Sequence, residues 1–185
     1  MMMAKITIVK NYRNALTLRL MELSEVVDAI QQQTYQEACQ QLRNVYPLTQ
    51  VRQRFDATDG MLRLYTKDLP RVCFSAQMEN RQRQRTIRAY NGLVLLEVNN
   101  LAGFEEAVAV RKGAAQIPYT LLAFVGASGR SVKIVCRGGL LEPAVTPKAS
   151  AQQGEGSALA LPTSDGEISR FHVNLYEKAR VAYNM

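Results

Sequence analysis

Two short stretches of this 185-residue chain hold side chains able to do chemistry. In LVLLEVNN, residues 93–100, four large aliphatic residues run straight into Glu97, and Asn99 follows two positions later. A carboxylate at the end of a buried strand is costly unless an arginine, backbone donors or a metal meets it. Strand positions i and i+2 point to one side, so Glu97 and Asn99 are expected to converge while Val98 packs behind. Two acids at such an edge would suit divalent cations for phosphoryl or nucleotidyl transfer, because hard cations take oxygen ligands. Here the second position is an amide, and on spacing alone a strand-end acid paired with a nearby arginine is the plainer account.

The second stretch is GASGRSVK, residues 126–133. It has neither the Gly/Lys spacing of a Walker loop nor a dinucleotide fingerprint. A turn at Ser128 and Gly129 can still offer successive amides to an anion, with Arg130 and Lys133 adding charge; the plainer alternative is a hairpin turn with solvent-facing bases. In RQRQRTIR, Arg81, Arg83 and Arg85 fall at period two and are expected to line one side of an extended segment, with Arg88 beyond. Such a comb can follow a phosphate backbone or simply guard a strand edge. His172 is the sole histidine, so neither a Ser-His-Asp triad nor a structural zinc site is expected. It lies beside an apolar helical stripe, where a core or rim role is the natural one.

These side chains sit in a chain long enough to bury a real core without disulfide support. Cys39, Cys73 and Cys136 are odd in number and widely spaced, which fits reduced thiols in a cytosolic setting. The N-terminus lacks the apolar run of a secretory signal, and no segment approaches the length of a membrane span; a cytoplasmic protein with no membrane partner is expected. The net charge of +7, mostly from arginine, favours polyanionic partners such as nucleic acid or nucleotides.

The elements that must position the candidates follow from periodicity. KITIVKNYR reads as an opening strand, and two helices are expected next. The first carries Leu23, Val26, Val27 and Ile30; the second starts from a capping box of Thr34 and Glu37. MLRLY, LPRVCFSAQM and LVLLEV read as strands, the last entered through an Asn91-Gly92 turn. FEEAVAVRKGAAQ has acids first, bases later, and Phe104, Ala107 and Val108 expected inward. YTLLAFVG and SVKIVCR form two strands around a short turn. Residues 138–167, rich in Ala, Gly, Ser and Pro, read as a flexible insert. A last helix places Phe171, Leu175, Ala179 and Ala182 on one face. The sum is one α+β domain over 1–185, with a mixed, largely antiparallel sheet flanked by helices.

In order, KDLPRVCFSAQM, YNGLVLLEVNNL, PYTLLAFVGASGRSVKIVCR and RFHVNLYEKARVAY resemble the VirE N-terminal domain family, which is similar to the catalytic core of archaeo-eukaryotic primases and primase-polymerases. The resemblance spans roughly Lys67 to Tyr183. It implies a palm-like sheet related to the RNA-recognition fold, in proteins that travel with mobile elements, act in DNA replication, and often continue into a helicase-like region. The family pattern of two strand-end aspartates falls on Glu97 and Asn99, and its phosphate-contacting histidine falls on Lys133. An active member would be a nucleotidyltransferase using Mg or Mn held by Glu97, with Ser128, Gly129, Arg130 and Lys133 on the nucleoside triphosphate and Arg81, Arg83, Arg85 and Arg88 on single-stranded DNA or RNA. Asn99 removes a charge from that metal site and Glu97 lengthens its one acid, while a further acid of the pattern has no counterpart and would lie beyond Met185 if the chain is a fragment. The expectation is therefore a nucleic-acid-binding, primase-like domain with a degenerate metal site. The alternative is a non-catalytic interaction scaffold for a helicase-like partner.

Overall fold

The computed structural model describes residues 4–12, 15–51, 66, 69–81, 84–138 and 162–185. Its elements run β1 (Lys5–Tyr12), β2 (Ala15–Glu22), α1 (Leu23–Gln31), α2 (Gln36–Val51), β3 (Arg71–Cys73), β4 (Ala76–Arg81), β5 (Gln84–Tyr90), β6 (Leu93–Val98), α3 (Phe104–Ala115), β7 (Thr120–Val125), β8 (Val132–Arg137) and α4 (Asp165–Ala182). The architecture is α+β. Instead of one sheet, the described residues form three, ordered β2-β1-β3, β4-β5 and β6-β8-β7, and every strand pair among them is antiparallel.

The opening strand is followed by a second strand before any helix. ALTLRLME pairs with β1 in unbroken register from Lys5 opposite Glu22 to Tyr12 opposite Ala15. The single strand expected over LPRVCFSAQM is divided at Phe74 and Ser75. β3 pairs with β1, and β4 leaves to pair with β5. The fully buried Thr7 spans this break, its Oγ1 donating to Ala76 O (3.1 Å) and accepting from Met78 N–H (2.7 Å). Helix α2 is entered through a turn in which Tyr35 O accepts the Cys39 N–H, so Tyr35 rather than Thr34 takes the cap position. A reciprocal acid cap occurs at α1 instead, where Glu22 N–H donates to Glu25 Oε1 (3.0 Å).

The β6-β8-β7 sheet is covered on both faces, which accounts for the unbroken aliphatic run of β6. Val94, Leu96, Val132, Ile134 and Cys136 face α3 and α4, meeting Ala107, Ala114, Leu175 and Ala179. Leu93 and Val135, with the half-buried Leu95, Leu122 and Phe124, face the N-terminal layer of Ile6, Ile8, Leu23, Val26 and Phe74. Leu175 and Ala179 thus lie inward as expected. Phe104 does not: it is 47% exposed.

The strand expected at MLRLY, and residues 139–161 of the expected insert, lie outside the described residues. The last three residues of that insert, 165–167, already belong to α4, which Ser164 caps by accepting the Glu167 N–H. No helix among the described residues is long and apolar enough to cross a membrane.

Candidate functional site

Register alone brings Glu97 and Lys133 together. They are directly opposed on β6 and β8, and Lys133 Nζ donates to Glu97 Oε1 at 2.5 Å. The pair sits in the row that also contains Phe124, on the face that the N-terminal layer covers, but at the rim where that cover ends. The side chains keep 39% (Glu97) and 30% (Lys133) of their accessibility. The aliphatic run therefore stops at an acid because Glu97 is the first position of its face to reach solvent, and a cross-strand lysine meets its charge.

Asn99 takes no part in a strand. β6 ends at Val98, Asn99 is exposed, and Asn100 adopts a left-handed conformation (φ 61°) that turns the chain toward α3. Period-two alternation, the basis for expecting Glu97 and Asn99 to converge, does not extend past Val98. The implied divalent-cation site also fits poorly. The one carboxylate is bound to an ammonium, its expected companion is an amide, and no group of three or more His, Cys, Asp or Glu residues suited to a metal occurs among the described residues. No catalytic step through a metal follows from these residues.

The β7–β8 turn abuts the β6–α3 connection, so the two tips do meet. Leu101 N–H donates to Arg130 O (3.1 Å) and Arg130 Nε donates back to Leu101 O (2.7 Å). Three amides of the turn are used within it: Gly126 N–H donates to Ser131 O, Gly129 N–H to Gly126 O, and Arg130 N–H to Ser128 Oγ. Gly129 is required here by its positive φ of 73°. A Cβ on it would also lie 3.3 Å from Arg43 Nε.

Arg43 is a site residue that periodicity missed, since it lies on the Gln-rich α2 with no local signal. Its Nε donates to Ala127 O (3.2 Å), and its guanidinium lies 4.9 Å from the ring centroid of Phe104. The contact ties Phe104, at the start of α3, to α2. Glu106, in the same first turn, accepts the Ala102 N–H and so fastens the incoming chain to the helix.

The arginine comb is not one extended segment. RQRQRTIR folds back on itself, with Arg81 closing β4 opposite Gln84, and Arg85 opposite Asn80 on β5. The chain must reverse between residues 81 and 84, and period-two spacing does not report such a turn. Arg85 and Arg88 are both exposed, Arg88 being the extra residue of a bulge between the Met78–Ile87 and Gln77–Ala89 pairs. Arg83 lies outside the described residues.

His172 is a docking residue. Its Nδ1 meets Tyr90 Oη at 2.7 Å, tying α4 to β5, and Phe171 packs edge-on against the same Tyr90 ring. Burial holds the imidazole below its ordinary value of 6.5 and pushes the phenol up to about 12.

Fold and site together define an α+β domain whose central sheet is covered on both faces and whose strand-end acid is neutralised by a lysine. Residues 65–185 match the family model of the BT4734-like N-terminal domain, and the chain belongs to that family. Compared with curated proteins and with solved structures, it has no match.

Proposed function

We propose that this is a single-strand nucleic-acid-binding domain of the VirE-like, primase-polymerase type that does not perform nucleotidyl transfer. The observation that carries the binding half is the β4–β5 ribbon. Arg85 and Arg88 are exposed on it, and the sequence from Glu79 to Arg88 carries four arginines against a single acid, in a chain of net charge +7. A narrow two-stranded ribbon bearing guanidinium groups suits phosphate contacts, which supply sequence-independent affinity. The non-catalytic half rests on the Glu97–Lys133 ion pair, which engages the one carboxylate of a strand end whose second position, Asn99, is an amide.

The test is the salt dependence of binding to a fluorescein-labelled oligothymidylate, read by anisotropy. Neutralising one phosphate-binding arginine should lower the slope of log K against log salt by about 0.7, so Arg85→Gln with Arg88→Gln should lower it by about 1.4. A flat salt response in the wild type would defeat the reading. It would favour a second one, a protein-interaction scaffold beside a helicase-like region, which the exposed Val173, Tyr176 and Val181 on α4 support.

A further inference from the structure

Phe104 is an anomaly that neither the core nor the ribbon explains. It opens an amphipathic helix yet remains 47% exposed, while Ala107, one turn on, is fully buried. Its ring is held by Arg43, whose guanidinium stacks at 4.9 Å and is itself fixed by the 3.2 Å bond from Nε to Ala127 O. A large apolar ring kept in water by an anchored cation, with nearly half its surface still accessible, is a preorganised stacking platform. Flat π-systems gain most from such a surface, and the backing guanidinium adds cation–π attraction.

Building on the nucleic-acid reading above, we infer that Phe104, backed by Arg43, stacks an unpaired base of the bound strand. Glu105 and Glu106 share its helical turn, so phosphate is not attracted to this point through charge. The contribution is therefore non-ionic, unlike that of the ribbon arginines. Stacking on an aromatic side chain is sequence-tolerant, because every base has a π-face.

The chain contains no tryptophan, so Phe104→Trp places a unique fluorophore at the platform. Titrating that full-length variant with oligothymidylate should quench its emission, whereas an abasic oligomer of equal length should not. Phe104→Leu should weaken oligothymidylate binding about 5- to 150-fold with an unchanged salt slope, and should leave abasic-oligomer binding as in the wild type. Because the residue is exposed, the far-UV circular dichroism and melting temperature of both variants should match the wild type. If wild-type protein binds oligothymidylate but Phe104→Leu binds equally well, or the indole emission stays constant through saturation, the stacking inference is wrong and the ribbon reading stands. Failure of the wild type to bind at all overturns both.

Discussion

Exchanging the charges of Glu97 and Lys133 separates a cross-strand ion pair from a remnant metal ligand. The two residues are directly opposed, and Glu97 is more than one-third exposed, so water screens much of their attraction. Partly exposed pairs of this kind couple by about 0.2–1 kcal/mol. Taking about 0.5 kcal/mol and a urea m-value of about 1–3 kcal/mol/M, Glu97→Lys or Lys133→Glu alone should lower the unfolding midpoint by at least about 0.2–0.5 M, more where like charges now face each other. The double exchange should return most of that loss at 0.15 M salt, and less of the difference should survive at 1 M, where the Debye length falls to about 3 Å. Magnesium should move none of the midpoints. A cation held through Glu97 would stabilise the wild type by about 2.7 kcal/mol at a hundred times its Kd. A magnesium-dependent rise in the wild-type midpoint that vanishes in Glu97→Gln, with no rescue in the double exchange, would refute the ion-pair account.

Thr7→Val keeps the shape but removes both bonds that carry the chain across the β3–β4 break, and should cost about 2–4 kcal/mol in urea unfolding, since a buried donor and acceptor lose their partner. His172, the only histidine, gives one imidazole resonance to follow by NMR, which should titrate below 6.5. Its folded value is depressed, so the unfolded chain binds the proton more readily. Its stabilising contribution is therefore complete above pH 6.5 and declines as the pH falls below that value towards the folded one, a decline that His172→Gln should lack. A fragment restricted to the family-matched residues 65–185 should fail to fold, as judged by circular dichroism and proteolysis. It loses Ile6, Ile8, Leu23 and Val26 from one face of the central sheet, roughly 6–12 kcal/mol of burial, comparable with the whole stability of a domain.

Much of the secondary structure was legible because local periodicity reports which faces are buried. The helices at Leu23, Phe104 and the C-terminus, and the strands β6, β7 and β8, all follow from it. Two local signals mislead. Thr34 and Glu37 have the spacing of a capping box, yet the helix start is set by the turn after α1. RQRQRTIR has strand periodicity on both sides of a reversal, so a hairpin reads as a single comb. At the candidate site, spacing identified Glu97, Arg130 and Lys133, but a pairing across 36 residues of chain depends on register, which spacing does not encode. Arg43 and Phe104 meet only because α2 packs beside the β7–β8 turn, 84 residues away in sequence from Arg43.

By itself, then, the sequence determined the helices at Leu23, Phe104 and the C-terminus, the strands β6 to β8, the α+β class, the excess of arginine and the abrupt end of the aliphatic strand, all of which depend on composition and short-range alternation. Only the tertiary structure decided what meets Glu97, that Arg130 of the GASGR turn locks onto Leu101, and that Phe104 stands outside the core. The physical reason is the same in each case. A side chain's hydrogen-bond partner and its access to water are fixed by which distant elements pack against it, and antiparallel pairing and layer stacking set that arrangement over separations that no local pattern spans.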